Sequence, residues 1–142
     1  MLEVGLTDFG CSKQAIEDVT LLHTFRIGTL EYQAPEVLYR SSDSYNFAVD
    51  IWALGLVVYT MLTAKSLFRD QAVLQKYLDD PSAIINTMTN AFNEKNLSHE
   101  DLAFFMRMIA TDPGVRPSAE ECVNEWRHLW VANGPFSPFG AQ

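Results

Sequence analysis

Basic residues are scarce in this chain. Ten Lys and Arg stand against eighteen Asp and Glu, giving a formal net charge of −8 over 142 residues. The basic residues lie singly, without a cluster or stripe. That argues against a nucleic-acid partner and against an anionic membrane surface. The acidity reads as a source of solubility. Cysteine is scarce too. Cys11 and Cys122 have neither metal-site nor redox spacing, and two cysteines in a chain of this size do not make a disulfide scaffold. Free thiols in the cytoplasm or nucleus are the expectation. His23, His99 and His128 also lack metal spacing and read as surface or packing residues. The most apolar run, residues 51–64, falls short of the roughly 20 residues a membrane-crossing helix needs, and Asp50 sits at its edge. Met1-Leu2-Glu3-Val4-Gly5 lacks the basic start and the long apolar stretch of a signal peptide.

What is present suits a folded core. Hydrophobic residues make up 48% of the chain, with nine Phe, five Tyr and three Trp, so a disordered chain is excluded. The length fits one domain at the usual ~100–200 residues. Residues 2–7 alternate and predict a short strand. Residues 11–33 lack periodicity and are rich in Ser and Thr, so they read as a long irregular segment, which in a compact domain is a mark of function.

Residues 46–64 predict the main helix, with Asp43, Ser44 or Asn46 available to cap its start. Its apolar residues occupy nearly every side, from Phe47 through Leu62, so it belongs at the centre of the domain. Val73-Leu74 and Tyr77-Leu78 outline a surface helix over 70–79, ended by Asp79-Asp80-Pro81. Ile84, Ile85, Met88, Ala91 and Phe92 outline another. Leu102, Phe105, Met106 and Ile109 outline a third, with Ser98 as its cap. In the last helix, which starts at Pro117-Ser118-Ala119, Ser118 and Glu121 have the spacing of a reciprocal capping box. Residues 133–142 are rich in Gly and Pro and predict an irregular tail after a domain at 1–132.

Four blocks carry chemistry. Asp8-Phe9-Gly10 follows the predicted strand. Gly28-Thr29-Leu30-Glu31-Tyr32-Gln33-Ala34-Pro35-Glu36 lies downstream, then Asp50-Ile51-Trp52-Ala53-Leu54-Gly55, then Asp112-Pro113-Gly114-Val115-Arg116-Pro117. A lone Asp-Phe-Gly is common by chance. All four in this order and spacing resemble the eukaryotic-type Ser/Thr protein kinase family, over about residues 4–130. The resemblance implies a mainly α fold: a kinase-like C-lobe fragment with a central buried helix and a short β remnant at its N-terminus.

The resemblance also assigns roles. Asp8 would hold Mg²⁺ against the phosphates of ATP, a carboxylate being suited to a hard cation. Phe9 would pack between lobes, and Gly10 would permit the backbone turn. Residues 11–33 match the activation segment, in which Thr20 and Thr24 are either phosphorylation sites or solvated loop hydroxyls. Gly28, Thr29 and Tyr32 fall in the floor for the protein substrate, and the Thr29 block points to Ser/Thr rather than Tyr specificity. Ala34, Pro35 and Glu36 end the segment, with Glu36 paired to Arg116 in a structural role. Asp50, Trp52 and Gly55 match the start of the central helix. In the family that aspartate accepts backbone N–H bonds from the catalytic loop; read locally, Asp50 is an acid placed favourably at a helix N-terminus. His99-Glu100-Asp101 lies at a capped helix start, on the wrong side of Asp8 for a catalytic His-Arg-Asp loop.

Several family parts are missing before Asp8: the Gly-rich loop, the strand Lys, the helix Glu and the His-Arg-Asp-type loop with the catalytic base. Phosphoryl transfer depends on positioning and charge stabilisation by these parts. The expectation is an N-terminally truncated protein serine/threonine kinase domain, inactive as this chain and binding Mg-ATP poorly. The alternative is a non-catalytic, pseudokinase-like module that binds a protein partner. Either way the expected partners are proteins: a substrate, the missing N-lobe, or a partner on an apolar face of the 46–64 helix left open, which would make the chain poorly soluble.

Overall fold

The computed structural model describes residues 30–39 and 46–132, which form helices and short turns around one long helix. There is no strand among the described residues. The strand expected at 2–7 and the tail at 133–142 lie outside them.

The central helix, α2 (Ala48–Thr63), follows a short α1 (Pro35–Leu38). Asn46, one of the three cap candidates, accepts the Ala48 N–H on its Oδ1 at 2.9 Å. Asp43 and Ser44 lie outside the described residues. The helix ends at Ala64, which adopts a left-handed conformation with φ 55° and ψ 28° while its N–H still donates to Thr60 O at 2.8 Å. Ile51, Trp52, Gly55, Leu56 and Tyr59 face inward and are buried. The opposite face is not covered: Leu54, Val57 and Met61 are exposed, as is Phe47 just before the helix. A helix apolar on all sides therefore has a buried half and an open half.

Two aromatic groups fill the core beside α2. Trp52 stacks on Phe68 with ring centroids 5.6 Å apart, and Phe68 meets Tyr77 at 5.2 Å. Further along, Phe105 lies between Tyr59 at 6.4 Å and Phe92 at 5.3 Å. Both sets have the tilted or offset arrangements that aromatic quadrupoles favour.

Around α2 come α3 (Gln71–Asp79), α4 (Ile85–Glu94), α5 (His99–Met108) and α6 (Ala119–Ala132). Asp70 caps α3 by accepting the Val73 N–H at 2.9 Å. It is a surface helix, as its pattern suggested, with Leu74 and Tyr77 buried on its inner face and Gln75, Lys76 and Asp79 exposed. It stops at Asp79, as the Asp80-Pro81 pair requires, and Asp80 then caps the 3-10 turn Pro81–Ile84 by accepting from the Ser82 N–H and hydroxyl. Those bonds hold the Asp80 carboxyl below its ordinary pKa.

The helix outlined by Ile84, Ile85, Met88, Ala91 and Phe92 is α4 with the turn before it, and not all five residues face inward. Ile85 is 45% exposed, while Ile84, Met88, Ala91 and Phe92 are buried. Ile84 belongs to the preceding 3-10 turn, so the inward face continues from 84 through 88, 91 and 92, and Ile85 falls beside it. Ser98 caps α5 in a reciprocal box with Asp101, with bonds of 3.1 and 2.7 Å. Ser118 and Glu121 form the predicted box at α6: Ser118 Oγ accepts the Glu121 N–H at 3.1 Å, and Glu121 Oε2 accepts the Ser118 N–H at 2.7 Å. The Ser118 bonds hold the Glu121 carboxyl below its ordinary pKa, and Arg107 at 3.6 Å adds to this.

Candidate functional site

The site is built where α1 meets α2 and the turn after α5. Pro35 opens α1, a position where its missing N–H costs nothing, and Ala34 is buried against the core. Glu36 follows and turns inward, only 8% exposed. Asp112 starts the 3-10 turn Pro113–Val115 by accepting the Gly114 N–H at 2.8 Å. That turn delivers Arg116 to Glu36.

Arg116 has a fully buried side chain and every prong engaged. Nη1 donates to Glu36 Oε1 at 2.7 Å, and Nη2 donates to Glu36 Oε2 at 2.9 Å. Nη1 also donates to Ala48 O at 3.0 Å, and Nε donates to Ala110 O at 2.8 Å. The guanidinium lies over the Trp52 ring, 5.1 Å from its centroid. Planar, forked and weakly hydrated, guanidinium is the cation suited to such a set of contacts. The group joins α1, the first turn of α2 and the end of α5 in one network. A lysine, with a single point charge, could not make this set.

Trp52 is fully buried at the centre of the group. Gly55, one turn on, lets α5 approach. A Cβ there would lie 2.9 Å from Ile109 Cγ2 and 3.3 Å from Met108 Cβ. The structure thus places Glu36, Trp52, Gly55 and Arg116 together, with Ala34 and Pro35 alongside. Tyr32 closes the 3-10 turn Leu30–Tyr32 and packs half-buried against the same core.

Asp50 stands apart from this network. It reaches solvent, yet the protein around its carboxylate raises its pKa by desolvation. Among the described residues its carboxylate has no hydrogen-bond donor. It lies in the first turn of α2, where an acid is favoured by the helix dipole.

Asp8, Phe9, Gly10, Thr20, Thr24, Gly28 and Thr29 lie outside the described residues. So does Cys11. Cys122 is buried against Ile51, Phe104 and Met108, and burial pushes its thiol pKa up, which suits a packing residue rather than a nucleophile. His99-Glu100-Asp101 is the first turn of α5, and Asp101 is committed to the Ser98 capping box. Among the described residues no group of three or more His, Cys, Asp or Glu is placed to hold a metal ion, and no helix is long and apolar enough to cross a membrane.

The sequence reading missed the Ala48 and Ala110 carbonyls that orient Arg116, and it missed Tyr77. The Tyr77 hydroxyl donates to Ile109 O at 2.6 Å beneath Trp52. Burial pushes its pKa up to about 12, with the Arg116 charge pulling the other way. A four-residue repeat of apolar pairs marked Tyr77 as inward-facing, though nothing in the sequence marked its partner.

Comparison with known proteins agrees with this geometry. The protein kinase domain family matches residues 2–130. A calcium/calmodulin-dependent protein kinase, cmkA, of Emericella nidulans is 31% identical over 132 residues, covering 91% of this chain and 29% of the relative. The chain thus spans under a third of the length of that relative. Intact members of the family use Mg-ATP. The chain belongs to the protein kinase domain family.

Proposed function

We propose that residues 1–142 supply the activation segment and helical platform of a protein serine/threonine kinase, whose reaction is ATP-dependent phosphorylation of protein Ser or Thr. The Glu36–Arg116 pair carries this reading. It ties the Ala-Pro-Glu block to the block at 112–117 across 80 positions, giving both blocks the joint role they have in the family.

On this reading the two ends of the site divide the work. Residues 28–33, with Gly28, Thr29 and Tyr32, rest under the protein substrate, and the Glu36–Arg116 network holds them to the helical lobe. Asp8 in the Asp-Phe-Gly block is the Mg²⁺ ligand, supported by Phe9 and Gly10. Thr20 or Thr24 takes a regulatory phosphate. Residues 1–142 contain no Gly-rich loop, strand Lys or His-Arg-Asp-type loop, so these residues by themselves bind Mg-ATP weakly and transfer no phosphate. The open face of α2 then receives kinase segments encoded upstream. On this reading the protein works in the cytoplasm or nucleus, which the scarcity of cysteine supports.

Sequencing the transcript upstream of Met1 tests the proposal. The expected result is an in-frame extension that encodes a Gly-rich loop, the strand Lys and a His-Arg-Asp-type loop. The longer product should phosphorylate Ser and Thr peptides, and Asp8→Ala should abolish this. A transcript that begins at Met1 would remove catalysis and leave the non-catalytic protein-binding module as the better reading.

A further inference from the structure

No further inference is drawn: the strongest candidate, the apolar stripe of Leu54, Val57 and Met61 on the open face of the central helix, carries nothing because no feature of the structure shows what covers it, and its covering by upstream kinase segments belongs to the reading already proposed.

Discussion

Arg116 and Glu36, 80 positions apart, form a two-pronged ion pair at 2.7 and 2.9 Å in the interior of the helical domain. A buried pair of this kind adds little net stability over an apolar replacement, because both ions have been taken out of water. Its removal from one side is another matter, since it strands a buried charge. Glu36→Ala and Arg116→Ala should each cost about 3–5 kcal/mol in urea unfolding. The double variant should lose much less than the sum, because neither charge is then stranded. Arg116→Lys should resemble Arg116→Ala more than the parent, as it forfeits the fork and the stack on Trp52. Additive losses in the double variant would show that the two residues do not act as a unit.

Tyr77 gives a prediction in pH. Its hydroxyl is raised to about 12 by burial, against an ordinary value of 10.0. Between those values the unfolded chain releases the phenolic proton and the folded chain keeps it. Stability that is fully present below pH 10 should therefore fall as pH rises from about 10 towards 12. Tyr77→Phe removes this titration. It also removes the bond to Ile109 O, leaving a buried carbonyl short of a donor, at a cost of about 1–3 kcal/mol near neutral pH. Urea midpoints at pH 8, 10 and 11 should show the parent and the variant converging as pH rises. Parallel curves would place the Tyr77 hydroxyl in solvent.

Gly55→Ala sets helix propensity against packing. Alanine in a helix interior is favoured over glycine by about 0.8–1.0 kcal/mol. Here the added methyl meets Ile109 Cγ2 at 2.9 Å, and Ile109 and Met108 are both fully buried. Neither can move aside without disturbing its own neighbours, and overpacking of this kind costs about 1–3 kcal/mol. The clash should win, so the variant should melt below the parent. A higher melting temperature would mean that α2 and α5 separate easily.

Interactions are legible in a sequence only where they leave a mark on residue type or spacing. The capping box of α6 was readable because both partners are side chains three positions apart. The start of α5 is legible at Ser98, a residue type that caps helices, while its reciprocal partner Asp101 went unread. Helix α5 itself was only half read. Leu102, Phe105 and Ile109 face the main core, as their spacing suggested, while Phe104 and Met108 face a second cluster with Ile51 and Cys122. A helix buried on two sides has no single stripe to detect. The Glu36–Arg116 pair was legible through the family resemblance alone, since no local pattern links residues so distant. The remaining anchors of Arg116 are the Ala48 and Ala110 carbonyls, which every residue type possesses, so composition could not mark them.

The open face of α2 separates stability of this chain from stability of a longer kinase. Leu54, Val57 and Met61 are spaced three and four residues apart and share one side of the helix, where they are 38, 42 and 79% exposed. Replacing Val57 by Glu and Met61 by Lys puts an acid four residues before a base, a favourable pair on an exposed helix. In residues 1–142 alone, each change should shift stability by no more than about 0.5 kcal/mol, as surface substitutions do. Solubility should rise, because an apolar patch has been broken up. If upstream kinase segments cover this face, as the proposed function holds, the same two charges in a longer polypeptide would be pressed into an apolar contact and stripped of water. There the double variant should unfold at clearly lower urea than its parent. Measuring solubility and urea midpoints in both contexts distinguishes the cases. Equal tolerance in both would mean that the upstream segments leave this face of α2 bare. Severe loss in residues 1–142 alone would mean that the face is covered from within the chain.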